Sequence, residues 1–376
     1  SAARSDFGIL KNLIINLEKN KKFDLNLIIN SAHISSKFGE TVNEIKEINI
    51  KKKIYLKFKY KASNPKNIIN YFNNITKGIS KFIEKKKPEA FIIMGDRYEM
   101  LACAFSCLQY QIPIIHLCGG SITLGSLDNI YRDNISKMAN LHLVESKFHK
   151  MRLNEIGIKK NIHIVGAPAL ENLELVKKNS LSTIINNFKL KIDKNKKIII
   201  ACFHPETNIS LSDNTYNLKK FLFFLKKRSE NIIFTYPNAD SGFNEYIKLI
   251  KLNLIKKKNC SIVKNLGIRN YYSLLEKSHV LIGNSSSGII ESASFKIPVI
   301  NIGNRQKNRF YNKNVIHSNF NINQLNKAFN IIDKKNFKNK LKKLKNFYYQ
   351  KKCSKKSIDL IYKLLSKDKK NFISNY

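Results

Sequence analysis

Val280-Leu281-Ile282-Gly283-Asn284-Ser285-Ser286-Ser287-Gly288-Ile289-Ile290-Glu291 passes from an apolar run of strand length into small polar residues and then into a helical pattern. A strand-to-helix turn built from small residues exposes backbone N–H groups and hydroxyls at the positive end of the helix, where a diphosphate is stabilised. Glu291, one turn further on, is placed to accept hydrogen bonds from ribose hydroxyls. The same spacing also suits an ordinary Ser N-cap. Strand, turn and helix in this order are the repeating unit of a parallel α/β sheet, and the unit recurs along the chain.

Apolar runs rich in Ile and Val fall at 25–29, 91–94, 112–117, 141–144 and 162–165. Lys-studded segments with helical spacing, such as 68–83 and 99–110, lie between them. After a polar stretch at 171–196 a second set follows at 198–203, 232–236, 262–263, 280–282 and 298–302. The fold class is therefore α/β, with two Rossmann-like doubly wound domains facing a cleft. The expected division is an N-terminal Rossmann-like domain at 1–175, a C-terminal nucleotide-binding one at 176–345 and a basic C-terminal helix at 346–376 packing across both. The helical pattern itself begins near Asn336. Ser1 to Gly8 reads as the loop after a first strand, so an amino-terminally truncated version of the gene product is expected.

The 376 residues include 68 Lys and Arg against 27 Asp and Glu, a net charge of +41, with 43% hydrophobic residues. That apolar content excludes a disordered chain. No apolar run approaches the roughly 18–20 residues of a bilayer span, and no charged-then-apolar leader opens the sequence. The charge resembles a nucleic-acid signal, but Lys outnumbers Arg 60 to 8, and Lys, Asn and Ile are abundant from end to end. Such a pattern follows from AT-rich codon usage rather than a selected basic patch, and charge alone argues for solubility and nonspecific attraction. Against that drift an Arg marks a position that Lys does not fill, and Arg4, Arg97, Arg132, Arg305 and Arg309 all lie in motifs. The six cysteines are scattered without zinc spacing, so they read as reduced thiols in a cytoplasmic protein with no metal, no cofactor, no membrane and no nucleic-acid partner.

Open α/β sheets bind ligands beyond the carboxyl ends of their strands, and chemistry-bearing residues collect there. Asp96 follows the run 91–94, as a general acid or base or as a helix N-cap. His116 to Ser121 follows 112–117, its glycine pair implying a close backbone approach, and Asp128 to Asp133 comes next. His204 and Glu206 follow 198–203, Tyr236 to Asp240 ends 232–236, and Arg305 with Arg309 follows 298–302 as a phosphate clamp.

Taken together, Arg4 to Gly8, GDRYEML at 95–101, IPIIH at 112–116 with Gly119-Gly120, HPET at 204–207, YPNAD at 236–240, GNSSSGIIE at 283–291 and IPVINIGNRQKNR at 297–309 resemble the hydrolysing UDP-N-acetylglucosamine 2-epimerases of sialic and legionaminic acid biosynthesis. The resemblance covers nearly the whole chain in order. It implies a glycosyltransferase-B-like fold, a homo-oligomer in the family manner, and a nucleotide-sugar substrate, UDP- or GDP-linked. The reaction it implies is anti elimination of the nucleoside diphosphate across carbons 1 and 2, then hydration of the glycal to N-acetylmannosamine or a diacetamido analogue. On it, Asp96, Asp128, His204 and Glu206 would be catalytic. Arg4, Ser286, Ser287, Gly288 and Arg309 would hold phosphate, Glu291 the ribose, and Tyr272 would border the base. The chain departs from the family pattern at Ser121, where GGE is usual, and at Asn129 and Asp133, where D-E-x-x-R-H is usual. Two alternatives stay open on those departures, a divergent member that binds nucleotide sugar without epimerising it and a retooled glycosyltransferase.

Overall fold

Each half of the chain builds parallel sheet from short strands, the central ones buried on both faces, and helices cover them. The computed structural model describes residues 1, 4–31, 45–58, 64–123, 127–206, 208–237 and 242–366, without the side chains of Arg4 and Ser5. The chain divides into two compact units, one of Ser1–Ser121, Asp128–Glu174 and Tyr348–Tyr376, the other of Ile122–Leu127 and Leu175–Phe347.

The first unit runs α1 (Arg4–Lys19), β1 (Asn26–Ile29), β2 (Lys52–Tyr55), α2 (Pro65–Lys86), β3 (Phe91–Met94), α3 (Tyr98–Gln109), β4 (Ile114–Leu117), α4 (Asp128–Met138), β5 (Leu141–Val144), α5 (Lys147–Glu155), β6 (Ile162–Ile164) and α6 (Pro168–Leu175). Its described strands form a four-stranded parallel sheet in the order β3-β4-β5-β6 and a two-stranded parallel one, β1-β2. All four residues of β4 and of β5 are buried, His116 and His142 included. α2 is set at its start by Asn64, whose side chain accepts the Asn67 N–H, and by Pro65, and at its end by Lys87 in the left-handed conformation.

The second unit continues with α7 (Leu181–Phe188), β7 (Ile198–Cys202), α8 (Leu211–Lys226), β8 (Asn231–Thr235), α9 (Phe243–Leu254), β9 (Cys260–Val263), α10 (Gly267–Lys277), β10 (Val280–Gly283), α11 (Ser287–Ile290), β11 (Val299–Ile302), β12 (Val315–Ser318), α12 (Ile322–Asp333) and α13 (Lys335–Lys342). Its sheet is parallel throughout, in the order β12-β11-β10-β7-β8-β9. Counted within the unit this is 3-2-1-4-5-6, and the direction of winding reverses between β7 and β10. Phe221, Leu222, Ile232, Phe234, Ile282 and Ile300 lie in the core between sheet and helices.

α14 (Cys353–Leu365) returns to the first unit. Cys353, Ile358, Ile361 and Leu364 join Phe7, Leu10, Leu13 and Ile14 of α1 in one apolar cluster, and Glu171 of α6 accepts the Ser354 N–H at its start, 3.1 Å. The single basic helical pattern expected from Asn336 onward is therefore broken, as α13 and α14 are separate helices.

Gly283 shows how tightly β10 meets β7. Its φ is +139°, and a Cβ there would stand 1.8 Å from the Cys202 carbonyl oxygen, a backbone atom with nowhere to go. Gly283→Ala is expected to lower unfolding free energy by at least about 3 kcal/mol in urea titration. A loss under about 1 kcal/mol would show that the two strand ends are not pressed together.

Candidate functional site

The reversal point between β7 and β10 is where an open α/β sheet leaves a crevice at its carboxyl edge, and the chemistry-bearing residues of the second unit gather there. His204 lies just beyond β7 and Asn284 just beyond β10. Asn284 Oδ1 accepts the His204 N–H at 2.7 Å, and its Nδ2 donates to the His204 carbonyl at 2.7 Å, so one buried amide ties the two strand ends together. The Asn284 backbone carbonyl then accepts from Arg305 Nη1 and Gln306 Nε2, each at 3.1 Å. Arg309 Nη1 donates to Gln306 Oε1 at 3.1 Å, which fixes the guanidinium of a residue only 9% exposed. Glu206 is buried too, and its Oε1 accepts the backbone N–H groups of Asn304 and Arg305 at 2.8 and 3.1 Å.

Ser286, Ser287 and Gly288 make the tight turn after β10. Gly288 and Ile289 donate to the Ser285 and Ser286 carbonyls. The helical stretch expected here is a four-residue α-turn, Ser287–Ile290, followed by a 3-10 turn, Ser292–Phe295, that Lys296 closes in the left-handed conformation. Glu291 sits at the junction and accepts a hydrogen bond from Tyr272 Oη at 2.7 Å. Burial pushes the Glu291 carboxyl up, opposed by hydrogen bonds from Ser287 and Tyr272. Tyr272 itself is 1% exposed, with its hydroxyl on Glu291. Its neighbour Tyr271 is half-buried and hydrogen-bonded to Ser287 Oγ at 2.7 Å. Adjacent tyrosines on a helix point different ways, and nothing in the sequence tells which is turned inward.

In the first unit Asp96, at the carboxyl end of β3, is ion-paired with Arg132 of α4. Arg132 is 1% exposed and also donates to the Ser121 carbonyl at 2.7 Å, so the half-buried Asp96 carboxylate is its counter-charge and not an isolated acid. Asp128 opens α4 and is half-buried. Asp133, where the family pattern has His, is bound to Arg152 of α5 at 3.1 Å. Ser121 is 2% exposed. The close approach implied by Gly119-Gly120 is made to the protein itself: at Gly120, φ +76°, a Cβ would meet the His149 carbonyl at 2.4 Å. His116 faces Gly95 O with Nε2 and Ser136 Oγ with Nδ1, both at 2.9 Å. A carbonyl only accepts, so Nε2 carries the proton and the ring is neutral, with burial pushing its pKa down to about 4.

Arg4 begins α1, and its side chain, like Thr207 and Asn238 to Asp240, lies outside the described residues. Among the described residues no cluster of His, Cys, Asp and Glu is placed to hold a metal ion, and no helix is long and apolar enough to cross a membrane. The second unit thus brings together Glu206, His204, Ser286, Ser287, Gly288, Glu291 and Arg309, and the first brings Asp96 to Arg132. Sequence reasoning did not single out Asn284, Gln306 or Tyr271 for a role. Asn284 had a signal, an amide directly after a strand-ending glycine, whereas Gln306 is recognisable only once the loop is folded.

The model of the UDP-N-acetylglucosamine 2-epimerase family matches residues 15–362. The GDP/UDP-N,N'-diacetylbacillosamine 2-epimerase (hydrolyzing) of Campylobacter jejuni is 36% identical over 349 residues, 90% of this chain and 87% of that protein. The UDP-N,N'-diacetylbacillosamine 2-epimerase (hydrolyzing) of Legionella pneumophila is 29% identical over 317 residues, 84% of this chain and 83% of that one. Among solved structures, the UDP-GlcNAc 2-epimerase of Neisseria meningitidis bound to UDP-GlcNAc superposes with a TM-score of 0.81 at 17% identity, covering 96% of this chain and 97% of that chain, a likeness of fold.

The neutral, buried His116 gives the first unit a pH dependence of known sign. Its pKa is about 4 folded against 6.5 as the ordinary value, so above pH 6.5 neither state is protonated and the site is neutral to stability. As pH falls from 6.5 to 4 the unfolded chain takes up the proton first, and stability drops by about 3 kcal/mol. His116→Gln is expected to be less stable than the wild type at pH 7, with a gap that shrinks by about that amount at pH 4 in urea titrations. Parallel pH curves for the two proteins would contradict it.

Proposed function

Because the chain belongs to the UDP-N-acetylglucosamine 2-epimerase family, we propose that it is a hydrolysing nucleotide-sugar 2-epimerase. It eliminates the nucleoside diphosphate from an N-acetylglucosamine-type sugar nucleotide and adds water to the resulting glycal, releasing the free 2-epimer for nonulosonic acid biosynthesis. The observation that carries the reading is the nucleotide-ready edge of the second unit. There Asn284 joins the end of β7 to the Arg305–Arg309 loop at the β7–β10 reversal point, and the Ser286–Gly288 turn and Glu291 follow it in the chain. The Ser286 hydroxyl and Arg309 suit a diphosphate, Glu291 suits a ribose diol, and the half-buried Tyr271 would border a base. Arg4 would add a further phosphate contact.

The chemistry needs a base for the proton on carbon 2 and a stabilised leaving group. Asp96 and Asp128 in the first unit and His204 in the second are the groups of suitable type. Asp96 enters as a carboxylate oriented by Arg132, which favours its acting as base or as electrostatic stabiliser. The names of the two diacetylbacillosamine enzymes, the first of them the more similar to this chain, favour a diacetamido sugar. Ser121 and Asn129 support a second reading, in which the protein binds nucleotide sugar with little turnover, since one lost proton-transfer group costs about 10²- to 10⁴-fold.

Incubation with a UDP-linked diacetamido sugar is expected to release UDP together with the 2-epimeric free sugar, faster than with UDP-N-acetylglucosamine, by ion-exchange chromatography. Ser121→Glu is expected to raise that rate by about tenfold or more. Tight UDP binding with no product from either substrate, in both proteins, would establish the binding-only reading instead.

A further inference from the structure

His204 and Glu206 are two residues apart, and they reach two different loops, the first that after β10 and the second that after β11. His204 is clasped by Asn284. Asn284 holds Arg305 and Gln306. Arg305 and Asn304 donate their backbone N–H groups to Glu206. The connections form a closed ring through the peptide segment 204–206. Glu206 is in turn held at its own backbone, since Asn214 Oδ1 accepts its N–H at 2.8 Å and Asn214 Nδ2 donates to its carbonyl at 2.9 Å. Gly303 N–H is the last of β11 to be used inside the sheet, donating to the Ser318 carbonyl at 2.9 Å, so the next two N–H groups in the chain are those that turn onto Glu206.

A carboxylate that is 5% exposed, with one oxygen taking two main-chain donors, is poorly arranged to carry a proton to and from a sugar. It is well arranged to fix where a loop leaves a sheet. We propose that Glu206 is a positioning residue, not a catalytic one: it sets the path of residues 304–309 so that Arg305 and Arg309 meet the diphosphate of the nucleotide. This rests on the functional reading above and sharpens it, because it moves Glu206 from proton transfer to leaving-group recognition.

The position separates reach from charge. Glu206→Gln keeps an oxygen acceptor at the same reach and removes the charge, whereas Glu206→Asp keeps the charge and pulls the acceptor back by one methylene. UDP affinity by calorimetry and uridine affinity by NMR titration are measured for wild type, both variants and Glu206→Ala. The expected result is that UDP binding weakens about tenfold or more in E206A and E206D and clearly less in E206Q, with uridine binding within about twofold throughout. If E206A does not fold, the order of E206Q over E206D decides alone. E206D equal to or tighter than E206Q for UDP, or unchanged UDP affinity in all variants with turnover lost in E206Q, would overturn the proposal and return Glu206 to the proton-transfer set. Parallel losses for UDP and uridine would also overturn it, as general loosening of the unit. Wild-type protein that does not bind UDP would remove the functional reading and this role with it.

Discussion

The side-chain amide of Asn284 is the constraint on which the second unit's ligand-facing edge depends. Two strands that diverge in winding direction leave their carboxyl ends without a shared helix to cover them, and main-chain groups there would otherwise go to water. Asn284 satisfies the N–H and carbonyl of His204 at once, and its own carbonyl holds two side chains of the following loop. Four polar groups are thereby paired in a place that is nearly dry, where each unpaired one would cost about 1–3 kcal/mol. The same pairing orients His204, the turn beginning at Ser285 and the Arg305–Arg309 loop relative to one another, so binding groups are held before any ligand arrives.

In the first unit the organising interaction is ionic. Arg132 is buried to 1%, and a buried guanidinium is tolerated only with its counter-charge and carbonyl partners in place. Asp96 and the Ser121 carbonyl supply both. This links the loop that ends β3 to the Gly119–Ser121 loop after β4 through one residue of α4. The change from His to Asp at 133 is accommodated by Arg152, which gives the new carboxylate a partner. Of the Asp133 carboxylate one oxygen meets Arg152 and the other, Oδ1, is buried without a hydrogen-bond partner, while the Gly119–Ser121 loop keeps its close packing on His149.

Much of this architecture was readable from the residues, for physical reasons that also explain the failures. Parallel strands buried on both faces are mostly apolar, so β3, β5, β7 and β11 stood out, with His142 and Asn301 as buried polar members. β2 did not, because Lys52 and Lys53 leave no apolar run where the strand is open to solvent. The four-residue length of α11 was hidden because the following turn keeps helical spacing while its hydrogen bonds tighten. Ser286 to Gly288 and Arg309 could be singled out because small residues and surviving arginines are conspicuous in a Lys-rich chain. The roles of Tyr271 against Tyr272, and of Glu206, depend on which way a side chain turns, and that is decided by packing with distant residues such as Glu291 and Asn304.

The central claim is that elimination and hydration at carbons 1 and 2 run on this chain despite Ser121 and Asn129. The most direct measurement is a proton NMR time course of the protein with a UDP-linked diacetamido sugar in D₂O. The account predicts free UDP and a 2-epimeric sugar carrying deuterium at carbon 2, since the proton removed from that carbon is replaced from solvent. Release of UDP with the original proton and configuration retained at carbon 2 would contradict it, leaving simple hydrolysis of the glycosyl phosphate as the reaction.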